Sequence, residues 1–323
     1  MSRAVFVRQT GGPEALSVED REVGAPGPGE VRLRQTAIGL NFIDTYQRSG
    51  LYPMLIPFVA GNEGAGVVTA LGEGVTDFRV GDRVAYQGLV GAYAAERLAT
   101  AERLVPIPDA IEDRTAAAIM LKGLTAYYLL FKTWPVAAGE MILWHAAAGG
   151  TGLIATQWAK ALGATVIGTA GSAHKVALAS AHGCDHVIDY TRDDFVDRVR
   201  QITGGWGVDV VYDGVGKATF EKSLDCLRPR GLMVSFGNAS GVVSIPDLTA
   251  LSRKGSLFVT RPTGAHYLGT REDLLEGARH LFGAVTSGAI QVEIGATFEL
   301  ERAAEAHRAL EARATTGSVV LIP

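Results

Sequence analysis

The stretch Ala146-Ala-Ala-Gly-Gly-Thr-Gly152 lies between an apolar run, Met141-Ile-Leu-Trp144, and an amphipathic segment at residues 153–162. This order predicts a strand, a glycine turn and a helix. Such a turn presents backbone N–H groups at the positive end of a helix dipole, where they can bind a pyrophosphate. Gly149 and Gly152 retain two glycines of the G-x-G-x-x-G pattern, and Ala147 replaces the first glycine. The stretch therefore predicts a dinucleotide-binding turn.

Apolar runs and helical stretches alternate after this turn. Strands are predicted at residues 165–169, 186–188, 209–213, 232–236 and 257–260, with helices near 172–182 and 193–203. This alternation predicts an α/β fold in which helices cover both faces of a doubly wound parallel sheet. The context favours a nucleotide-binding turn over the alternative, a flexible glycine loop that binds nothing.

The end of the second predicted strand indicates which dinucleotide is bound. Sites for NAD place an Asp or Glu about 20 residues after the turn, where it holds the ribose hydroxyls. The sequence here is Gly168-Thr-Ala-Gly-Ser172, and the first carboxylate after it is Asp185. Lys175 follows within one helical turn, so the sequence predicts NADPH in preference to NADH. A solvated surface lysine is the alternative interpretation of Lys175.

Length and composition narrow the class of protein. The 323 residues are 47% hydrophobic, which suffices for two domains. The net charge of −4 provides no basic footprint, so nucleic-acid binding is disfavoured. The N-terminus lacks the apolar segment of a signal peptide, which predicts a cytoplasmic protein. The most apolar stretch, residues 116–131, is interrupted by Lys122 and Gly123, so it predicts a buried helix and no membrane span.

Cysteine usage bears on metal binding. The two cysteines are too few for a disulfide framework or a four-cysteine zinc site. His182, Cys184 and His186 are three potential ligands within five residues. They lie where a helix is predicted to connect to a strand, and their side chains need not converge. An ordinary turn is therefore favoured over a metal site, and no metal is predicted.

The pattern of apolar runs and turns changes along the chain and indicates a discontinuous domain. Before residue 120, short alternating runs are separated by turns such as Gly24-Ala-Pro-Gly-Pro-Gly29. The last sixty residues predict helices near 271–287 and 301–313 and a closing strand at 318–322. We expect residues 1–122 and 265–323 to form one β-rich domain into which a nucleotide domain, residues 123–264, is inserted. The substrate is expected in the cleft between the domains.

Several motifs together resemble one known family. They are Asn41-Phe-Ile-Asp-Thr-Tyr46, Gly61-Asn-Glu-Gly-Ala-Gly66, Gly81-Asp-Arg83, the glycine turn and Val259-Thr-Arg-Pro262. In order and spacing, from Gly11 to Gly317, they resemble the zeta-crystallin-like quinone oxidoreductases of the medium-chain dehydrogenase/reductase superfamily. The resemblance implies a Rossmann domain inserted into a GroES-like catalytic domain, with NADPH as cofactor and a quinone as acceptor.

Two positions distinguish the chain from the zinc alcohol dehydrogenases of that superfamily. Those enzymes carry a cysteine at the position of Asn41 and a histidine at that of Asn62. An amide oxygen is a poor zinc ligand beside a thiolate or an imidazole, so the sequence predicts a zinc-independent enzyme. Hydride transfer without a Lewis acid requires an acceptor that is already electron-poor, such as a quinone or a conjugated alkene.

The resemblance also implies a set of cofactor contacts. Lys175, Tyr190 and Arg313 would bind the 2′-phosphate. Gly214 is a departure from the family, because relatives can carry a serine there and glycine cannot make the hydrogen bond of that hydroxyl. The full implied set is Asn41, Phe42, Ile43, Asp44, Thr45, Tyr46, Tyr128, Gly149, Gly150, Thr151, Gly152, Gly171, Ser172, Lys175, Tyr190, Gly214, Phe236, Gly237, Asn238, Val259, Thr260, Arg261 and Arg313.

Two residues are candidates for catalysis. The Tyr46 hydroxyl, the Asn41 amide or a water could donate to a developing oxyanion. A phenol with a pKa of about 10 is a slow acid, so a structural tyrosine on a helix is an equal alternative for Tyr46. Asn41 is better suited to orienting the nicotinamide than to reacting.

The same residues are compatible with two other functions. The same motifs suit a reductase of α,β-unsaturated carbonyls or enoyl thioesters. A structural or RNA-binding protein that binds NADPH without turnover is an alternative of another class, and the intact 41–46 segment argues against it. The resemblance also implies a homodimer, in which the predicted edge strand at residues 257–260 pairs with its own copy.

Overall fold

The computed structural model describes residues 1–245 and 247–323. The chain divides into two compact units. The first comprises Met1–Leu124, Leu268–Thr286 and Val292–Pro323, and the second comprises Thr125–Tyr267 and Ser287–Gln291. The sequence did not indicate that residues 287–291 join the second unit. Reciprocal hydrogen bonds of 3.0 and 2.9 Å between the Gln157 side chain and the backbone of Gln291 hold them there.

Sixteen strands occur among the described residues. In chain order they are β1 (Ser2–Val7), β2 (Leu16–Arg21), β3 (Glu30–Leu40), β4 (Phe58–Val59), β5 (Glu63–Leu71), β6 (Arg83–Gln87), β7 (Glu96–Thr100), β8 (Val105–Pro106), β9 (Met141–Trp144), β10 (Thr165–Ala170), β11 (His186–Asp189), β12 (Val208–Asp213), β13 (Leu227–Ser235), β14 (Phe258–Thr260), β15 (Ile294–Glu299) and β16 (Ser318–Ile322).

The α-helices are α1 (Phe42–Ser49), α2 (Asp113–Tyr128), α3 (Gly150–Ala161), α4 (Ala173–Ala181), α5 (Phe195–Ile202), α6 (Phe220–Leu224), α7 (Thr249–Arg253), α8 (Gly264–Tyr267), α9 (Arg271–Thr286) and α10 (Ala303–Glu311). A π-helical turn, Leu129–Thr133, continues α2. Within the described ranges, no helix is long and apolar enough to cross a membrane.

The second unit is built on a six-stranded parallel sheet. Its strand order is β11-β10-β9-β12-β13-β14. Chain order therefore reverses beside β9, which is the doubly wound arrangement predicted from the alternating runs. Leu143, Ile167 and Val211 are fully buried in the core of this unit. The predicted strands are confirmed, with β13 beginning earlier than expected, at Leu227.

The first unit is mainly β-structure, as its short alternating runs predict. A seven-stranded sheet has the order β15-β16-β3-β5-β6-β8, with β7 also paired to β3, and a second sheet has the order β2-β1-β4. The long strand β3 pairs with β5, β7 and β16, all antiparallel. The helix α1 follows β3 after a single residue, Asn41, so the sheet determines where α1 begins.

Candidate functional site

The predicted site residues of the second unit lie at one edge of its sheet. Gly149–Gly152 follow β9, Gly171–Lys175 follow β10, and Tyr190 follows β11. Gly214 follows β12, Phe236–Asn238 follow β13, and Val259–Arg261 end β14. Because all six strands are parallel, these segments share the carboxyl edge, where doubly wound sheets bind ligands.

The glycine turn has the close packing that a dinucleotide site requires. Gly149 is the N-cap of α3, so Gly150, Thr151 and Gly152 form the first turn of the helix. The N–H groups of a first turn have no partner inside the helix and are available to an anion. A Cβ on Gly152 would lie 2.5 Å from the Ala146 carbonyl oxygen and 2.6 Å from that of Ala147. Gly152 therefore lets α3 begin against the end of β9.

The replacement of the first motif glycine by Ala147 is accommodated on the neighbouring strand. A Cβ on Gly168 of β10 would lie 2.8 Å from the Ala147 Cβ and 2.7 Å from the Cys184 sulfur. Gly168 thus provides the space that Ala147 occupies. The turn keeps its compact form because a glycine is present on the adjacent strand.

The loops after β10 and β11 form a corner suited to a phosphate. A Cβ on Gly171 would overlap the Tyr190 hydroxyl, so this glycine lets the phenol lie across the end of β10. Ser172 caps α4 by accepting a hydrogen bond from the Lys175 N–H at 3.3 Å. The adjacent carboxylate of Asp189 accepts two hydrogen bonds from Thr191, at 2.6 and 3.0 Å. Arg313, the third predicted phosphate ligand, belongs to the first unit, and its role stays a prediction.

A buried carboxylate shapes the loop after β12. Asp213 is fully buried and accepts hydrogen bonds from Val215 N at 2.7 Å, Gly216 N at 3.0 Å and the Thr219 hydroxyl at 2.8 Å. A Cβ on Gly214 would lie 3.0 Å from the Phe236 ring. A serine at this position would therefore require the ring to move by a few tenths of an ångström.

Arg261 supports the neighbouring loop at the end of β13. Its guanidinium donates to the Ser235 carbonyl at 2.8 Å and to the Gly237 carbonyl at 3.1 Å. These contacts connect β14 to the segment that contains Phe236 and Asn238, so Arg261 helps to shape the loop.

The predicted residues of the first unit begin at the N-terminus of α1. Asn41 is the N-cap and forms a capping box with Asp44, whose carboxylate accepts from the Asn41 N–H at 2.9 Å. The Asn41 side chain donates to Glu63 at 2.7 Å. Asn62 donates to Asp44 and to Gln47, both at 2.7 Å. The two amides at the positions of the zinc ligands are thus held by hydrogen bonds that fix the start of α1.

A buried relay connects α1 to α10. Arg48 contacts His307 Nδ1 at 3.0 Å, His307 Nε2 contacts the Tyr93 hydroxyl at 3.0 Å, and Tyr93 donates to Asp44 at 2.9 Å. The bond to Asp44 assigns Nε2 as the protonated nitrogen of a neutral imidazole. Arg48 also forms an ion pair of 2.6 Å with Glu311. The three hydrogen bonds of the relay therefore run in one direction, from Arg48 through His307 and Tyr93 to Asp44.

Burial shifts the pKa values of two groups of the relay, Asp44 and His307, in opposite directions. Removal from water raises the pKa of Asp44 to about 6, although hydrogen bonds from Asn62, Asn41 and Tyr93 oppose the shift. Removal from water, with the positive charge of Arg48, lowers the pKa of His307 to about 3. The imidazole is therefore neutral at physiological pH.

Tyr46 lies on α1 and is 9% exposed. Its ring makes an edge contact with Tyr52 at a centroid distance of 5.2 Å and a tilted contact with Phe42 at 6.2 Å. This packing suits the structural interpretation of Tyr46, and the position beside Asp44 and Asn41 is compatible with a role in the site.

Sequence reasoning did not assign roles to Glu63, Lys122, Asp213, Tyr93 or His307. The signal available for Asp213 was a carboxylate directly before Gly-Val-Gly at a strand end, and for Lys122 a lone cation in the most apolar stretch. Tyr93 and His307 carried no local signal, because their partners are distant in the sequence: they contact each other, Tyr93 contacts Asp44, and His307 contacts Arg48.

The potential ligands around Cys184 do not form a cluster. Cys184 is buried, and burial raises the pKa of its thiol to about 12. The His182 ring contacts the Leu178 carbonyl at 2.8 Å, and His186 is exposed at the start of β11. In the part of the chain that the structure describes, no group of three His, Cys, Asp or Glu side chains is arranged to hold a metal ion.

Known proteins of the same family align with this chain over its whole length. The family described as "Alcohol dehydrogenase GroES-like domain" matches residues 27–109, and that described as "Zinc-binding dehydrogenase" matches residues 150–272. A quinone oxidoreductase of Pseudomonas aeruginosa is 54% identical, and a 2-haloacrylate reductase of a Burkholderia species is 49% identical; each alignment covers 100% of this chain and at least 99% of the relative. The crystal structure of Escherichia coli quinone oxidoreductase complexed with NADPH superposes with a TM-score of 0.97 at 49% identity, covering 99% of this chain and 100% of that one.

Proposed function

This chain belongs to the quinone oxidoreductases of the medium-chain dehydrogenase/reductase superfamily, and we propose that it is an NADPH-dependent, zinc-independent reductase that transfers a hydride to quinones. The observation that carries the proposal is the carboxyl edge of the parallel sheet. There the glycine turn, the corner formed by Gly171 and Tyr190, and the loops after β12 and β13 come together.

The residues of this edge fit a phosphorylated dinucleotide. The first turn of α3 would hold the pyrophosphate, and Lys175 and Tyr190 would hold the 2′-phosphate, with Arg313 as a third ligand. Bound NADPH supplies the hydride. The loop after β12, held by Asp213, and the loop after β13, supported by Arg261, would line the rest of the cofactor site. Asn41 and the start of α1 are proposed to orient the nicotinamide.

Lys175→Gln is expected to raise the KM for NADPH about 10-fold or more and to leave the KM for NADH within about 2-fold, because only NADPH carries the 2′-phosphate. Steady-state kinetics with both cofactors measures this selectivity. Lys222→Gln is the matched control, since Lys222 is an exposed lysine of the same unit that pairs with Asp194. An equal rise in both KM values would contradict the assignment of Lys175.

Tyr46→Phe is expected to lower kcat by less than about 10-fold and to leave the protein folded, because the ring contacts with Tyr52 and Phe42 are retained. General acids contribute about 10²- to 10⁴-fold. A loss of about 100-fold or more in kcat with an unchanged KM would instead identify the Tyr46 hydroxyl as the proton donor.

The acceptor is tested by NADPH oxidation with 1,4-benzoquinone, 9,10-phenanthrenequinone, a short enone and 2-chloroacrylate. We expect both quinones to be turned over. The 49% identical 2-haloacrylate reductase supports a second candidate, reduction of electron-poor alkenes by the same site. Turnover of the alkenes without either quinone would favour that candidate. Saturable NADPH binding with no turnover of any acceptor would favour a binding protein.

We also propose a homodimer that forms through β14. This strand is at the edge of the sheet and pairs only with β13 among the described residues. Phe258 is 59% exposed on it, and Val242 and Leu248 are 57% and 69% exposed nearby in the sequence. Pairing with a second copy would cover this edge and bury the Phe258 side chain.

Phe258→Lys is expected to convert the dimer to a monomer, because a charge would have to be buried in the new interface. Light scattering at micromolar concentration measures the mass. Val80→Lys, at a hydrophobic residue of the first unit that is 64% exposed, is the control and should leave the mass unchanged. A monomer mass for the wild-type protein would reject the proposed dimer.

The proposed compartment is the cytoplasm. Cys184 and Cys226 are both free and buried, and no disulfide links them. A protein that needs no disulfide suits a reducing compartment, where NADPH is also available.

A further inference from the structure

Lys122 is a buried cation in the most apolar stretch of the chain. It lies on α2, between fully buried residues such as Met120 and Leu124, and its side chain is 8% exposed. Burial of a charge is costly unless the charge is paired, so the position of Lys122 calls for a partner. That partner is Glu63, the first residue of β5, whose side chain is fully buried and lies 3.1 Å from the ammonium.

Both oxygens of Glu63 are used as acceptors. Oε1 accepts from the Leu121 N–H at 2.6 Å. Oε2 accepts from the Asn41 side-chain amide at 2.7 Å and from the Lys122 ammonium at 3.1 Å. Gly39 leaves space for the carboxylate, because a Cβ on this residue would overlap Oε2. The structure therefore holds one buried negative charge, the Glu63 carboxylate, in a fixed position beside Asn41.

This arrangement determines the orientation of the Asn41 amide. An ionised carboxylate only accepts hydrogen bonds, so it holds the NH₂ end of Asn41 and excludes the flipped amide. The oxygen end is left to the capping box at the start of α1. The orientation of Asn41 thus depends on Glu63, and the Lys122 ammonium is the opposite charge that pairs with the Glu63 carboxylate in the interior.

We propose that Glu63 and Lys122 are positioning residues, which fix the Asn41 amide and the first turn of α1 in the state that binds the nicotinamide end of NADPH. The inference rests on the proposed function, because it takes Asn41–Tyr46 as cofactor residues. Neither Glu63 nor Lys122 is assigned any contact with cofactor or acceptor.

The test separates positioning from folding with a charge-neutral replacement. In Lys122→Met alone, Glu63 is left as an unpaired buried charge, so the denaturant midpoint should fall markedly. In Glu63→Gln/Lys122→Met no net charge is buried, and the midpoint should return most of the way to that of the wild type. In this double variant, an NH₂ group replaces one of the two carboxylate oxygens at position 63. Because Leu121 N–H requires an oxygen, that NH₂ group faces the NH₂ of Asn41 and forces the Asn41 amide to flip.

The readouts are the Kd for NADPH, measured by fluorescence titration, and the KM and kcat with 1,4-benzoquinone. We expect the double variant to bind NADPH at least 10-fold more weakly than the wild type, although most of its stability is restored. In an Asn41→Ala background the same pair of changes should alter the Kd by less than 2-fold, since the amide that it orients is absent. Arg32→Met/Glu96→Gln, which neutralises an ion pair between β3 and β7, is the matched control and should leave the Kd unchanged.

Recovery of both stability and NADPH affinity in the double variant would overturn the proposal and leave the pair a purely structural one. Equal effects in the wild-type and Asn41→Ala backgrounds would also overturn it. A wild-type protein that binds NADPH without reducing a quinone would reject the proposed reaction, while the affinity comparison would still decide the role of the pair. A wild-type protein that binds no NADPH would reject both.

Discussion

Gly152→Ala is expected to destabilise the protein by about 3 kcal/mol and to abolish measurable NADPH binding. The added Cβ would lie 2.5 and 2.6 Å from two backbone carbonyl oxygens, those of Ala146 and Ala147. Neither oxygen can move independently, because the Gly149 N–H donates to the Ala146 carbonyl and the Ala147 N–H bonds to Thr169 of β10. The start of α3 would have to move away from the sheet, together with the N–H groups proposed to hold the pyrophosphate.

Gly149→Ala is the matched control in the same turn. Its Cβ would meet only the Ala146 carbonyl oxygen, at 3.2 Å, and its φ of −82° is accessible to any residue. We expect a loss of about 1 kcal/mol or less. Urea unfolding gives the stabilities and fluorescence titration gives the NADPH affinities. Equal stability losses for the two variants would show that the close approach at Gly152 is not what limits this position.

The second large effect concerns pH and the relay between α1 and α10. The folded-state pKa of His307 is about 3, and an unfolded histidine titrates at 6.5, so the unfolded chain binds more protons between these values. Stability from His307 is therefore lost as pH falls from 6.5 towards 3, by about 1.4 kcal/mol per pH unit. Asp44 has the opposite sign. Its pKa of about 6 exceeds the unfolded value of 3.8, so its contribution to stability falls as pH rises between these values.

The two slopes oppose each other between about pH 4 and pH 6, so the wild-type protein should show little net pH dependence from this pair. His307→Gln removes one slope and leaves the other. The wild type loses the His307 contribution as pH falls from 6 to 4, and the variant has no such contribution to lose. Over this pH range the free energy of unfolding of the variant should therefore rise by about 3 kcal/mol relative to that of the wild type. Urea unfolding at pH 4, 5 and 6 measures this difference.

His186→Gln, at an exposed histidine of the second unit, is the control. It should follow the wild type within about 0.5 kcal/mol at each pH. A constant difference between His307→Gln and the wild type over the same range would contradict a neutral, buried His307 in the folded state.

The nucleotide-binding half of the fold could be predicted because its signals are local. Apolar runs, intervening helical stretches and the glycine turn each occupy one short segment, and all of them correspond to elements of the six-stranded sheet. The position of Gly171 and Lys175 after β10 and of Tyr190 after β11 follows from the same alternation. Parallel strands bring their carboxyl ends to one edge, so a list of strand ends is already a list of candidate site residues.

The interior of the first unit could not be predicted in the same way. Lys122 interrupts an apolar run in the sequence, and only its contact with Glu63 explains why a charge is tolerated there. Gly123, the other interruption, lies against Leu281 of α9, where a Cβ would overlap the leucine side chain. Both residues resemble helix defects when the sequence is considered alone.

The sequence by itself determined the order of the strands and helices, the glycine turn, the absence of a carboxylate after β10 and the asparagines at the two zinc-ligand positions. These are properties of single segments, and hydrophobic periodicity and turn chemistry reveal them. Tertiary structure alone decided that Gly168 accommodates Ala147, that Glu63 orients Asn41 and that His307 lies between Arg48 and Tyr93. Such contacts join residues far apart in the chain, and burial gives them their energetic weight, so no local pattern of residues encodes them.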